Sequence, residues 1–236
     1  MCTVTFVASR QQTIITSNRD EQVSRPSIDP AVYEINGKEL FFPKDPRAGG
    51  TWFASDKSAN VLVLLNGAFD THEHRPPYRR SRGLIVLDLL SCESAIENWS
   101  AINLTEVEPF TIVLFENRHL YELRWDGNLK FRKDLASNEN HIWSSATLYP
   151  KEIRDRREKW FSEFLSKNPN PSPQDMLGFH RYTKNSDSQN GLVIDRKGIS
   201  LQTLSITQAA IDGHSIQFQH SNLVENSTTK TVCDTF

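Results

Sequence analysis

The sequence contains little cysteine and no long apolar run. Its three cysteines, at positions 2, 92 and 233, form no CxxC pair and no even-numbered framework of the kind that cross-links small secreted domains. We therefore expect reduced thiols and a cytoplasmic location. No stretch approaches the roughly 18 apolar residues that a membrane span requires, and the apolar start of the chain is interrupted at Arg10, which is too early for a signal peptide. The sequence predicts no integral membrane association.

The sequence also lacks an excess of charge of either sign. Its 236 residues include 27 basic and 29 acidic side chains, which gives a formal net charge of −2. This balance provides no electrostatic field that would recruit nucleic acid or an anionic membrane. Hydrophobic residues make up 37% of the chain, enough for a sizeable core, so we expect a single domain over residues 1–236.

Hydrophobic periodicity predicts strands, then two short helices or one helix bent at Ser91-Cys92, more strands, a long helix, a further helix and closing strands. Strands are predicted at 2–8, 12–17, 32–35, 40–42, 51–54, 61–65, 110–116, 120–125, 129–132, 141–144, 191–195, 199–206 and 215–219, and helices at 84–90, 95–99, 153–165 and 172–182. Segregated helices and hairpin-linked strands favour an α+β fold of two mainly antiparallel sheets faced by helices. The polar composition after Ser221 predicts that residues 222–236 form a frayed tail.

Cys2 follows the initiator methionine directly. Removal of Met1 would leave a thiol and a free α-amine on one residue, and an α-amine with a pKa of about 8 can act as general base for its own nucleophile. A nearby guanidinium would help to hold the sulfur as thiolate. Cys2 can equally be a small apolar residue at the start of an edge strand. The predicted hairpin brings residues 18–21, Asn-Arg-Asp-Glu, back towards Cys2, which favours the nucleophile.

Several short motifs follow one another in order along the first two thirds of the chain. They are Met1-Cys2-Thr3, Asn18-Arg19-Asp20-Glu21 with Ser24-Arg25-Pro26-Ser27, Gly49-Gly50-Thr51-Trp52-Phe53, Leu65-Asn66-Gly67, Ser81-Arg82-Gly83 and Ser144-Ser145-Ala146-Thr147-Leu148. This series resembles the NRDE family, also called the transport and Golgi organisation 2 (TANGO2) family, and the last third of the chain matches it only loosely. That family is similar to N-terminal nucleophile (Ntn) hydrolases of the penicillin V acylase and bile salt hydrolase type. The resemblance implies a four-layer αββα sandwich.

The same resemblance implies the roles of individual residues. Cys2 would be the nucleophile, with Arg19 and Asp20 organising its thiol and its α-ammonium. Asn66 would place its amide and a backbone N–H on one oxygen, as an oxyanion hole requires, and losing one such donor costs roughly 3 kcal/mol. The further residues implied to contact substrate are Asn18, Glu21 and Ser145, the last of which stands where the family usually has Asn.

Simpler interpretations exist for two of these features. Residues 18–21 can form a salt-bridge cluster that closes the hairpin, and Asn66-Gly67 is also an ordinary turn signal. His72 and His74, two residues apart in a basic, Pro-rich loop, could bind a metal or haem iron, but no further ligand set accompanies them and a solvated loop is the preferred interpretation. We expect neither a metal nor a cofactor.

Two functions remain open at this point. The first is an amidohydrolase that cleaves a linear amide of a small or lipid-like acyl compound. The second is a binding or trafficking protein for a hydrophobic ligand, haem or lipid, that keeps the fold without turnover. The residues Cys2, Arg19, Asp20 and Asn66 favour the first function, whereas Ser145 favours the second.

Overall fold

A computed structural model of the chain describes residues 3–9, 12–213 and 215–234, with the side chain of Asp234 left out. Cys2 therefore lies outside the described residues. The strands are β1 Thr3–Ala8, β2 Thr13–Gln22, β3 Ile28–Ile35, β4 Lys38–Lys44, β5 Phe53–Asp56, β6 Val61–Asn66, β7 Phe110–Glu116, β8 His119–Trp125, β9 Lys130–Leu135, β10 His141–Ser144, β11 Asp195–Arg196, β12 Leu201–Ile211, β13 Ser215–Asn222 and β14 Ser227–Asp234. The α-helices are α1 Arg82–Leu90, α2 Ala95–Ala101, α3 Lys151–Lys167 and α4 Pro173–Tyr182.

The strands form two antiparallel sheets. The first has the order β10-β1-β2-β12-β13-β14, with β11 paired to β12, and the second runs β3-β4-β5-β6-β7-β8-β9. Helices α1 and α2 pack on the second sheet, whereas α3 and α4 pack on the first. The predicted α+β fold with four layers is confirmed. None of the helices in the described ranges is long and apolar enough to cross a membrane.

Strand pleating sorts the side chains of the first sheet into two cores. Val4, Phe6 and Ile15 join the large core that also includes the second sheet. Their neighbours Val7 and Ile14 point the other way and pack with residues of α3 and α4, among them Phe161, Met176 and Phe179. Because successive side chains of a strand point to opposite faces, consecutive residues further along β2 must also pack against different layers of the sandwich.

The prediction of a frayed tail over residues 222–236 is wrong for most of that segment. Residues 227–234 form β14, which pairs with β13 from Ser215↔Asp234 to Asn222↔Ser227. The Asn222 side chain accepts hydrogen bonds from the N–H groups of Val224 and Glu225 and so shapes the connecting turn. The tail is polar, but its Thr and Val residues are β-branched and suit an edge strand, so polarity alone was a misleading signal.

The predicted strand at 191–195 is also wrong, apart from Asp195 in the two-residue β11. Arg157 donates a hydrogen bond of 2.6 Å to the carbonyl of Gly191, and the Asn18 amide donates one of 2.6 Å to the carbonyl of Leu192. Side chains thus satisfy carbonyl groups that a neighbouring strand would otherwise bind. Leu192 and Ile194 are buried in a loop, and periodicity does not separate such a loop from a short buried strand.

Candidate functional site

The N-terminal strand and the motif at residues 18–21 lie side by side, as the sequence predicts. Thr3 is paired with Asn18 on β2 and with Ser144 on β10. The described part of the candidate site begins at Thr3, so the predicted nucleophile Cys2 is not part of the geometry below. Arg19 and Asp20 are both buried, each with 2% of its surface exposed.

Arg19 lies in the layer between the two sheets. Its guanidinium carbon is 4.4 Å from the centre of the Trp52 ring, and its Nη1 donates a hydrogen bond of 2.9 Å to the carbonyl of Arg25. A desolvated cation over an indole is stabilised by about 2 kcal/mol. The ring therefore fixes a positive charge close to the start of β1.

Asp20 is held by two hydroxyl groups. The Tyr149 hydroxyl donates to its Oδ2 at 2.7 Å, and the Thr203 hydroxyl donates to its Oδ1 at 2.5 Å. Asp20 follows Arg19 on a strand and so points to the opposite face. No ion pair joins Arg19 to Asp20 among the described residues, and the salt-bridge interpretation does not hold for this pair.

Tyr149 in turn lies against buried arginine. The guanidinium carbon of Arg157 is 3.6 Å from the centre of its ring, and that of Arg196 is 5.1 Å away. Arg157 is fully buried on α3 and donates to the Thr3 hydroxyl and to the carbonyls of Asn190 and Gly191. The sequence pattern led to no predicted role for Tyr149 or Arg157. Two signals were available: Tyr149 follows the 144–148 motif directly, and Arg157 interrupts the apolar stripe of α3.

Asn18 faces α4 and not the space between the sheets. It is fully buried. Its Oδ1 accepts a hydrogen bond from the Nδ1–H of His180, and its amide donates to the carbonyls of His180 and Leu192 at 3.2 and 2.6 Å. The Thr5 hydroxyl completes the group by donating to Nε2 of His180 at 2.8 Å. We therefore assign Asn18 a structural role in place of the predicted substrate contact.

Ser145 is likewise fully buried. Its hydroxyl donates to the carbonyl of Asn66 at 2.8 Å and also accepts from the N–H of Leu148. The Ser145 hydroxyl therefore fixes the backbone of Asn66. Both of its hydrogen bonds are made within the fold, in place of the predicted contact with substrate. The Gly67 N–H donates to the carbonyl of Pro109 at 3.1 Å, so this backbone donor already has a partner and the predicted oxyanion hole would depend on the side-chain amide of Asn66.

Glu21 is partly exposed and lines a cavity of about 70 Å³ next to Arg19. It forms an ion pair of 3.2 Å with Arg25, which also pairs with Asp45 at 2.6 Å. The other lining residues include Trp52, Asn66 and Arg82, which belong to three further motifs. Glu21, predicted to contact substrate, thus lines a cavity together with residues of these motifs.

The motifs are joined by direct contacts. Thr3 pairs with residues 18 and 144, Trp52 lies under Arg19, the Thr51 N–H donates to the carbonyl of Gly83 at 3.1 Å, and Ser145 binds Asn66. Segments that are far apart in the sequence therefore meet at one end of the sheet sandwich.

His72 and His74 contact a single carboxylate. One nitrogen of each ring lies 3.2 Å from Oε1 of Glu108, and Arg82 pairs with the other oxygen at 3.0 Å. Burial alone would raise the pKa of Glu108, but Arg82 and the two histidines together lower that pKa below its ordinary value. The described residues contain no group of His, Cys, Asp and Glu side chains suited to a metal ion. The two histidines anchor the loop that precedes α1.

The buried His180 makes the free energy of unfolding depend on pH. Burial, with the charge of Arg157 nearby, lowers the pKa of His180 from 6.5 to about 3. The unfolded chain takes up this proton near pH 6.5, whereas the folded chain does not. The free energy of unfolding therefore falls as the pH drops from about 6.5 towards 3, by up to about 1.4 kcal/mol per pH unit. His220, whose pKa burial lowers to about 4, adds to the same slope.

We expect the substitution His180→Gln to flatten this slope between pH 6.5 and 5 by about 1 kcal/mol per pH unit, because the variant no longer carries the group that titrates. Urea unfolding at a series of pH values measures the slope separately from any loss of stability at neutral pH. The exposed His119 provides the control, since His119→Gln should leave the slope unchanged. An unaltered slope in His180→Gln would contradict the assignment.

Comparison with known proteins identifies the family and the fold. The model of the family described as Transport and Golgi organisation 2 matches residues 1–212. No curated protein matches the sequence. Among solved structures, a Caenorhabditis elegans N-acylethanolamine-hydrolyzing acid amidase ortholog is similar with a TM-score of 0.61 and 12% identity, over 88% of this chain and 92% of that one. A cysteine-to-alanine mutant of conjugated bile acid hydrolase from Clostridium perfringens has a TM-score of 0.55 and 8% identity, over 98% and 92%. The shared fold is that of the Ntn hydrolases.

Proposed function

Since this chain belongs to the Transport and Golgi organisation 2 family, we propose that it is an N-terminal cysteine hydrolase acting on a linear amide of a small or lipid-like acyl compound. One observation carries the proposal. The motifs at residues 18–21, 49–53, 65–67, 81–83 and 144–148 contact one another around the start of β1, where the chain leads to Cys2. Buried charges and a cavity meet at this point, a combination that is typical of active sites.

In the proposed reaction the thiol of Cys2 attacks the amide carbonyl carbon, and the α-amine freed by loss of Met1 accepts the thiol proton. The same amine returns that proton to the leaving nitrogen as the C–N bond breaks, which leaves a thioester. Water then attacks the thioester, its proton passes back through the amine, and the acid and the thiol are released.

Three residues would support this reaction. Arg19, held over Trp52, supplies the positive charge that favours the thiolate. Asp20, fixed by Tyr149 and Thr203, is the carboxylate that orients the α-ammonium. The amide of Asn66 donates to the developing oxyanion. The hydrolytic activities named for the Caenorhabditis elegans and Clostridium perfringens neighbours are of the same reaction class as the one proposed.

The position of Ser145 favours a second candidate, a protein that binds a hydrophobic ligand such as haem or a lipid without turnover. Its hydroxyl is buried and bonded to the backbone of Asn66. It therefore cannot reach into the site as the longer Asn of the family would. If that missing donor is essential, the site binds an acyl compound but does not cleave it.

Two measurements on the wild-type protein test the hydrolase. The intact mass should show that Met1 is absent, because the reaction needs a free α-amine on Cys2. A fluorescent acyl electrophile should then label the wild type and the Cys92→Ala variant to the same extent, whereas Cys2→Ala should lose the label. Cys92 is a suitable control because it is a free, partly exposed cysteine. It follows the C-terminal end of α1, whereas the N-terminal end of that helix lines the cavity.

Two results would contradict the proposal. Retention of Met1 in the protein isolated from its own cells would block the α-amine as an amide and leave binding without turnover as the better account. Equal labelling of wild type and Cys2→Ala would show that the reactive group is not Cys2.

A further inference from the structure

The cavity beside Arg19 has an unusual lining. It measures about 70 Å³ and lies between the loop after β2, the 49–53 motif and the start of α1. Three guanidinium groups line it, those of Arg19, Arg25 and Arg82, together with the carboxylates of Glu21 and Asp45. On this measure one water molecule needs at least about 10–15 Å³, so the cavity has room for a group the size of a carboxylate.

Two buried hydrogen-bond donors of the lining residues have no partner in the part of the chain that the structure describes. They are the indole Nε1 of Trp52, a side chain with 3% of its surface exposed, and Nε of Arg25. Both groups can only donate, and a buried donor without an acceptor costs free energy. The side-chain amide of Asn66, which also lines the cavity, makes no hydrogen bond among the described residues. A ligand group that accepts hydrogen bonds would give donors of these lining residues a partner.

The arginines are held in place before any ligand arrives. Arg25 is fixed by Glu21 and Asp45 at 3.2 and 2.6 Å. Arg82 is fixed by Glu108 at 3.0 Å and by the carbonyl of Pro109. Burial lowers the pKa of Arg82 even with Glu108 beside it, so a further anion would stabilise its charge. A preorganised set of donors loses little entropy when it binds a ligand.

We propose that this cavity binds a carboxylate of the substrate, so that the protein selects amides carrying a carboxylate within a few bonds of the amide group. A carboxylate offers only acceptors and matches the planar fork of a guanidinium. Because Asn66 itself lines the cavity, an anion bound there lies close to the amide bond that is to be cleaved. This inference rests on the proposed function for the identity of the site, but it concerns binding and is tested without turnover.

The experiment uses the Cys2→Ala chain and two ligands that differ in one group, N-octanoylglycine and N-octanoylethanolamine. Isothermal titration calorimetry should show about tenfold tighter binding of the glycine compound, as expected for charge-assisted hydrogen bonds. Arg25→Gln should abolish this preference. Trp52→Phe keeps a ring under Arg19 and removes only the N–H, so it should reduce the preference by about fivefold. Arg132→Gln, which removes the same charge from an exposed residue of β9, should change nothing.

Each outcome decides the matter. Equal affinity for the two ligands, or binding of neither, overturns the inference, because the cavity then holds water only. A preference that survives in both Arg25→Gln and Trp52→Phe also overturns it, since the carboxylate must then bind elsewhere. Circular dichroism reports whether each variant is folded. If Arg25→Gln does not fold, the binding preference of Trp52→Phe decides the outcome. Preference without hydrolysis by the wild type would contradict the proposed function and leave this inference standing.

Discussion

Replacing Arg157 by alanine is expected to lower the free energy of unfolding by about 3–5 kcal/mol, because the change breaks a fully buried network of hydrogen bonds. Arg157 has no exposed surface. Without its guanidinium, the Thr3 hydroxyl and the carbonyls of Asn190 and Gly191 lose their donor. The Tyr149 ring also loses the cation that lies 3.6 Å from its centre.

Urea unfolding measures this effect, and α3 supplies a matched control. Arg156 precedes Arg157 on the same helix and is exposed, so Arg156→Ala should change stability by no more than about 0.5 kcal/mol. Arg157→Lys should give an intermediate loss, since an ammonium keeps the charge but cannot reproduce the planar fork. Equal stability of the two alanine variants would show that the buried network does not contribute to folding.

Replacing Gly50 by alanine is expected to cost about 3 kcal/mol, at the upper end of the range for inserting an atom into packed structure. A Cβ atom at Gly50 would lie 2.3 Å from the carbonyl carbon of Gly83 and 2.6 Å from its oxygen. The neighbours are backbone atoms at the start of α1, so no side chain can rotate away. Relief requires the 49–53 motif to move off α1, which would shift Trp52 from under Arg19.

Gly178 provides the opposite case. It lies inside α4, and a Cβ atom there would meet no atom within 4 Å. Gly178→Ala should therefore raise stability by roughly 1 kcal/mol through helix propensity alone. Thermal unfolding of the two variants should move the midpoint in opposite directions. A Gly50→Ala variant as stable as wild type would mean that the two motifs are not packed backbone to backbone.

The local pattern of the sequence predicted most of the elements. The strands at 110–116 and 141–144 were predicted with the observed bounds, although only the first has a continuous apolar pattern and the second was the weaker candidate. The helix over α3 was predicted from its apolar stripe. The strand at 191–195 was wrong because distant side chains bind the carbonyls of that segment, about which periodicity carries no information. The frayed tail was wrong because residues 227–234 pair with the preceding strand in a hairpin despite their polar composition.

The candidate site divides in the same way. The sequence predicted Arg19, Asp20 and Asn66 as catalytic residues by their motifs. It also predicted that Asn18 and Ser145 contact substrate, whereas in the structure the polar atoms of both side chains form hydrogen bonds within the fold. It gave no role to Tyr149 or to Arg157, whose contacts with Asp20 and Thr3 join residues more than a hundred positions apart.

The sequence by itself determined which short segments this protein has, the α+β class they build and the family whose motifs they carry. Those properties depend on residues close together in the chain. Only the tertiary structure decided which face of β2 each motif residue occupies, which side chain binds which carbonyl, and that three arginines line one cavity. A strand turns every second side chain to the other layer, so the role of each residue depends on which layers pack against its sheet.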